Sequence, residues 1–202
     1  MRCTKGRSWR ALFGAERPAS GTILLDGHRQ SLPNTTAART AGIAYVPENR
    51  RQSLMLGQEI YKNITLAHLG SLLGGLLSQR KEIAIARNQI EKVGVRPPNP
   101  LLHAGALSGG NQQKVVLAKW LTEQPKVLIL NEPTRGMDVG AKDEVLTIVQ
   151  KLCDQGVAIL LITTEPETIV RIADRSLVIS KGQITAELSG NDLTKENLMK
   201  YA

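Results

Sequence analysis

The stretch Leu107-Ser108-Gly109-Gly110-Asn111-Gln112-Gln113-Lys114, followed after one further segment by Lys126-Val127-Leu128-Ile129-Leu130-Asn131-Glu132-Pro133-Thr134, decides how this chain is read. Val115, Val116, Leu117, Trp120 and Leu121 carry the periodicity of a helix, expected from near Asn111 to Glu123. A serine hydroxyl, two glycine amides and the positive end of a helix dipole make an anion site suited to a phosphate. The same residues also fit an ordinary serine N-cap with glycines in the turn. Val127 to Leu130 reads as an apolar strand that ends in a polar pair, and strand ends are where α/β sheets bind ligands.

Downstream of that strand the pattern alternates. Val145, Ile148, Val149 and Leu152 fall at i, i+3, i+4 and i+7 of a helix from about Gly140 to Asp154, with Asp138 near its start and Gly156 after its end. A strand from Val157 to Ile162 follows, then a short helix opened by Pro166, a hairpin across Lys181-Gly182 and a terminal helix capped by Thr194. Such alternation implies a parallel sheet. Upstream, Thr22 to Gly27 reads as a short strand closed by an Asp-Gly turn, and Ile43 to Val46 as another ended by Pro47. Lys62 to Leu77 and Lys81 to Val93 carry helical patterning, loosened by Gly70, Gly74 and Gly75 and closed by Pro97-Pro98, which suits a small helical subdomain.

Composition narrows the class. With 202 residues and 42% hydrophobic content the chain can bury the core of one α/β domain. No stretch reaches the roughly 18 uncharged apolar residues of a membrane-spanning helix. Arg2, Lys5, Arg7 and Arg10 at the front are not followed by the apolar run of a signal peptide, so export is not expected. Cys3 and Cys153 form neither a metal-ligand spacing nor a disulfide framework, which suits a reducing compartment. The net charge of +8 fits a basic solvated face, and an aromatic content of 3% leaves few base-stacking platforms, so no nucleic-acid partner is expected.

The order LSGG-x-Q, helix, apolar strand, Asn131-Glu132-Pro133-Thr134 and then Gly136-Met137-Asp138 resembles the signature motif, Walker B motif and D-loop of ABC ATPases. Tyr45-Val46-Pro47-Glu48 stands where that family has its Q-loop, and Ala11 to Ala15, Ser20-Gly21 and Asp26-Gly27 fit the segments before it. The resemblance runs from about Arg10 to the C-terminus. The spellings Pro47-Glu48-Asn49-Arg50, LSGGNQQK and Glu132 to Gly140 look most like the second cassette of monosaccharide importers of the ribose, xylose and galactose class.

The resemblance implies an α/β fold, an ABC-type P-loop NTPase cassette with a small antiparallel β part and a helical subdomain at about residues 60–110. It also implies two cassettes that close head to tail, each ATP lying between the phosphate loop of one and the signature motif of the other. On that pattern Ser108, Gly109, Gly110, Asn111 and Gln112 bind the partner's ATP in trans, with Gln112 fixing the loop. Glu132 is the general base that orients the attacking water. Asp138 is the D-loop aspartate that couples the two sites, and it also fits a plain helix cap. The cofactors implied are ATP and Mg²⁺. The implied partners are a second cassette, transmembrane permease subunits and, indirectly, a periplasmic sugar-binding protein, with the chain peripheral on the cytoplasmic face of the membrane.

Four departures from the pattern qualify this. Asn131 occupies the Walker B position of a magnesium-holding aspartate, and a neutral amide is a poor ligand for a hard dication. Glu48 replaces the Q-loop glutamine, and Thr164 stands at the switch-histidine position. No G-x-x-x-x-G-K-[ST] loop opens the sequence; Gly6-Arg7-Ser8 mimics its end, but two registers disagree and no residue there is assigned to phosphate. Residues 1–9 are therefore read as an unmatched basic peptide, and residues 10–202 as a partial cassette without its P-loop strand. Truncation, a frameshift or a misassigned start each accounts for this. The expected function is the ATP-binding part of a sugar importer. The alternatives are a soluble ABC ATPase acting on nucleic acid or ribosomes, and an inactive fragment.

Overall fold

The computed structural model describes residues 7–72 and 78–202. The chain divides into two compact units, one holding the chain up to Ile43 together with Ile162–Ala202, the other Ala44–Leu161.

The first unit begins with helix α1 (Arg7–Leu12) and the hairpin β1 (Ile23–Leu25) and β2 (His28–Gln30), antiparallel with Ile23 opposite Gln30. Asp26 and Gly27 turn it with φ of 52° and 76°, the left-handed pair that a two-residue connection of twisted strands requires. Helix α2 (Thr35–Thr40) starts at Asn34, whose side chain accepts a hydrogen bond from the Ala37 N–H at 2.8 Å.

In the second unit the strand β3 (Ile43–Val46) lies as the sequence predicts. The expected helix from Lys62 to Leu77 is instead α3 (Ile60–Thr65), a 3₁₀ turn at Leu66–His68, and α4 (Leu69–Leu72); residues 73–77 lie outside the described residues. The break falls at buried Thr65, whose hydroxyl lies 3.0 Å from the Tyr61 carbonyl and 2.7 Å from a Glu82 carboxylate oxygen. A β-branched hydroxyl that bonds back to the i−4 carbonyl bends a helix. Helix α5 (Gln79–Val93) then ends at Gly94, which takes φ 65° while the Val95 N–H returns to the Ile90 carbonyl at 3.0 Å.

Helix α6 (Gly109–Trp120), strand β4 (Val127–Asn131), helix α7 (Val139–Asp154) and strand β5 (Ala158–Ile162) complete this unit, with strands ordered β3-β4-β5. Neighbours β4 and β5 are joined through a helix rather than a tight turn. Leu128, Ile129 and Leu130 are at most 1% exposed, which is why this strand reads as a continuous apolar run rather than an alternation. Val115, Val116 and Leu117 of α6 and Val145, Leu146 and Val149 of α7 are buried as well. Alpha6 begins two residues before the expected Asn111, because the two glycines form its first turn behind the Ser108 cap.

The chain returns to the first unit through α8 (Pro166–Ile172), β6 (Arg175–Ser180), β7 (Gln183–Ser189) and α9 (Lys195–Tyr201). Lys181 and Gly182 turn the hairpin with φ of 49° and 79°, and Val178, Leu188, Leu193 and Leu198 form its core. Thr194 caps α9 by accepting from the Asn197 N–H at 3.2 Å. Among the described residues no helix is long and apolar enough to cross a membrane.

One buried cation has a measurable consequence. Lys119 of α6 is 6% exposed, its ammonium donates to the Ser53 carbonyl, and burial pushes its pKa down from 10.5 to about 8. The unfolded chain therefore holds more protons between those two values, so stability rises with pH across that window and is flat below it. We expect the unfolding free energy to rise relative to Lys119→Met by about 3 kcal/mol over the whole window. Urea titrations at about pH 7.5 and about pH 10.5 check this; parallel pH profiles for the two proteins would contradict it.

Candidate functional site

The site is built on the head of α6. Ser108 is its N-cap: the hydroxyl accepts from the Asn111 N–H at 3.4 Å and from the Asn111 side-chain amide at 3.0 Å. Gly109 and Gly110 supply the first-turn N–H groups, which have no intrahelical acceptor and so face outward. Gln112 reaches back, donating to the carbonyls of Leu107 at 3.1 Å and Ala104 at 3.4 Å. Asn111 accepts from the Arg96 N–H at 2.7 Å. Both amide side chains are thus tied to the chain around the cap, and the exposed serine and the two glycines are what the loop presents. Farther along α6, buried Lys114 donates to the Gly94 carbonyl at 2.8 Å and pairs with Glu144 at 2.6 Å, fixing the helix laterally.

Each glycine has its own reason to lack a side chain. A Cβ on Gly110 would lie 2.8 Å from the Cβ of Ala141 on α7, and neither methyl can swing aside. A Cβ on Gly109 would lie 2.8 Å from the end of the Arg50 guanidinium, which a flexible arm can withdraw. Gly110→Ala should therefore lower the unfolding free energy by about 1–3 kcal/mol, and Gly109→Ala by less than half as much. Urea unfolding of both variants decides this; equal losses would contradict it.

Strand β4 delivers Asn131 and Glu132 at its end. Glu132 has φ 48°, a left-handed conformation outside any hairpin turn, in a residue that precedes a proline. Residues before proline favour extended backbone, so this conformation costs on the order of 1–3 kcal/mol. Asp138 caps α7, accepting from the Ala141 N–H at 2.9 Å. Cap and glycine contact thus meet at the same residue of α7: Ala141 receives the Asp138 carboxylate on its N–H and faces Gly110 with its methyl. Thr164, at the expected switch position, is exposed and follows β5 in the other unit.

Two residues given no role by the sequence stand out. Arg135 Nη1 donates to Glu48 Oε1, and Arg50 Nε donates to Gln112 Oε1 at 3.3 Å. The Glu48 that replaces a glutamine at the Q-loop position therefore has a cation beside it. These pairs join residues 87 and 62 positions apart. Only the opposite signs of charge could have hinted at the first, and nothing in the local pattern at the second.

A family model described as ABC transporter matches residues 5–135. The ribose import ATP-binding protein RbsA of Roseobacter denitrificans is 41% identical over 98% of this chain, which spans 39% of that protein. RbsA of Bacillus subtilis is 40% identical over 96% of the chain, again 40% of that protein. The xylose import ATP-binding protein XylG of Moorella thermoacetica is 45% identical over 90% of the chain and 36% of its own length. The chain thus spans about two fifths of the curated relatives it matches. Among solved structures, the ATP-binding cassette MJ0796 aligns with a TM-score of 0.75 at 17% identity, over 89% of this chain and 78% of that one. The cbiO1 protein of Clostridium perfringens aligns with a TM-score of 0.72 at 21% identity, over 89% and 70%. These two likenesses establish the cassette fold, an α/β architecture with small antiparallel sheets. Motif order, fold and family match agree, and the chain belongs to the ABC transporter family.

Proposed function

We propose that this chain is an ATP-binding part of a monosaccharide importer, and that Ser108, Gly109 and Gly110 close on the γ-phosphate of an ATP held by a second cassette. The observation that carries this is the head of α6, where a serine cap, outward N–H groups and a helix of 12 residues behind them converge on one exposed point. The names of the relatives, ribose and xylose import ATP-binding proteins, support the sugar class. ATP bound there supplies the phosphoanhydride whose hydrolysis drives import. Within this chain the signature residues bind and orient a terminal phosphate, Asn111 and Gln112 hold the loop that carries them, and Glu132 would orient a water for a phosphate on its own side. The partners are the second cassette, permease subunits in the membrane and a sugar-binding protein beyond it. The chain works at the cytoplasmic face.

Magnesium is a different matter. At the end of β4 the donors are one neutral amide, Asn131, and the carboxylate Glu132, and among the described residues no three His, Cys, Asp or Glu are grouped to hold a metal. A hard dication prefers several carboxylate or water oxygens in an octahedron, and this set does not fit it. No step on this chain is assigned to the metal.

The test of the transport reading is uptake of labelled ribose and xylose by cells with and without the gene. Loss of one pentose's uptake on deletion, restored by the gene in trans, is expected; unchanged uptake of both contradicts the assignment.

A further inference from the structure

The segment Pro47-Glu48-Asn49-Arg50 is where the structure holds more than the motifs assign. It leaves β3 and enters a 3₁₀ turn at Arg50–Gln52, capped by Asn49, whose side chain accepts from the Arg51 N–H at 3.0 Å. From this short piece two charged side chains reach two different nucleotide-facing segments. Glu48 pairs with Arg135, which follows the end of β4. Arg50 goes to the head of α6, where its Nε donates to Gln112 Oε1 at 3.3 Å and its guanidinium occupies the space a side chain on Gly109 would need. Gln112 in turn uses its amide N–H groups on the Leu107 and Ala104 carbonyls. The amide is thus satisfied on both ends, with Arg50 as the donor to its oxygen.

We propose that Arg50 is a positioning residue of the signature site: by holding Gln112 and packing on Gly109 it fixes the loop that presents Ser108 and the glycine N–H groups. The proposal rests on the reading of that loop as the phosphate-facing element. A guanidinium suits this task because its planar fork can bond the amide oxygen with one edge while its face or end lies against a backbone that has no Cβ. A lysine ammonium offers a point charge and no plane, so it replaces the charge but not the packing. Since Arg50 acts through the loop's geometry, its loss should affect the closed, reacting state more than the capture of nucleotide. Glu48 on the same segment pairs with Arg135 in an exposed ion pair, which adds little to the bracing that Arg50 supplies.

The experiment measures the ATPase rate of an intact ABC cassette assembled with this full chain, in which the signature serine of the intact cassette has been replaced so that only this chain's loop can act. The variants are Arg50→Met, Arg50→Lys, Gln112→Ala, the double Arg50→Met with Gln112→Ala, and Ser108→Ala. We expect Arg50→Met to lower kcat about tenfold or more with KM for ATP changed less than about twofold. Arg50→Lys should recover little of the loss. The double variant should lose clearly less than the product of the two single losses, because the residues share one contact, and losses that multiply would overturn the coupling. Thermal midpoints separate positioning from mere folding: a rate loss at an unchanged midpoint supports the proposal, and a loss that tracks a lowered midpoint overturns it. Full activity of Arg50→Met while Ser108→Ala is inactive would overturn the role of Arg50 alone. Full activity of Ser108→Ala would overturn the reading of the signature loop, and the proposal with it.

Discussion

Gly109→Asp is expected to abolish any stimulation of a partner cassette's ATPase by this chain, while Glu132→Gln leaves most of it. The aspartate would place a carboxylate at the point where a γ-phosphate must approach, and two anions there repel. The variant should still fold. Its Cβ meets only the end of the Arg50 arm, at 2.8 Å, and the new carboxylate gains that guanidinium as a partner. That same pairing withdraws Arg50 from Gln112, so the loop loses both its charge pattern and its brace. Glu132 stands at the end of β4 beside Asn131 and would serve a site on this chain's own side. If Asn131 stands at the metal position as proposed, its neutral amide leaves that site contributing little to the combined rate, so Glu132→Gln should cost little. The measurement is the partner's ATPase rate with and without each variant at matched concentration, with folding checked by circular dichroism. Equal loss from both substitutions would mean that this chain hydrolyses ATP at a site of its own.

Leu128→Ala should produce the largest loss of stability among simple truncations. Leu128 is fully buried on β4, the middle strand of the three, and strand neighbours on both sides prevent the backbone from closing the space left behind. Lost transfer energy and an unfilled cavity together amount to about 3–5 kcal/mol. The same change at Leu66, which is 43% exposed on its 3₁₀ turn, should cost less than about 1 kcal/mol. Urea unfolding of the two variants against the parent gives the comparison. A loss at Leu128 no greater than at Leu66 would show that β4 is not the centre of the core.

Most of the second half was legible because its elements announce themselves chemically. Val127 to Leu130 is apolar without interruption, Asp138 and Thr194 are cap residues ahead of periodic segments, and Lys181-Gly182 suits a left-handed turn; each stands where the sequence put it, with β4 longer by Asn131. What was missed is short and polar. The three residues of β2, His28–Gln30, show no alternation to read, and α2 is built from Thr35 to Thr40 with little apolar face. The break after Thr65 follows a hydroxyl that bonds back to the Tyr61 carbonyl and also meets Glu82, 17 positions away, and the second contact lies outside any window centred on the helix.

The site was legible in its parts and not in its assembly. Ser108 was legible as the cap of α6 because a serine ahead of glycines and an apolar-periodic run marks a helix start, and the structure has it accepting from the Asn111 N–H. That Ala141 leaves no room for a side chain at Gly110, and that Gly109 lies against Arg50, are facts of packing between helices and turns distant in sequence. Glu48 reads as a substitution when taken alone; beside Arg135 it becomes one half of an ion pair.

On the proposed function, the loop at Ser108 to Gly110 faces the terminal phosphate of a nucleotide bound to another cassette. An ATP analogue with a photoreactive group on its γ-phosphate, bound first to an intact partner cassette and then mixed with this chain, tests it directly. Irradiation should label the peptide containing Leu107 to Gln113 of this chain, only when the two proteins are together, and Gly109→Asp should remove the label. Labelling confined to the partner, or found on this chain elsewhere than that loop, would show that Ser108 to Gly110 do not face the phosphate.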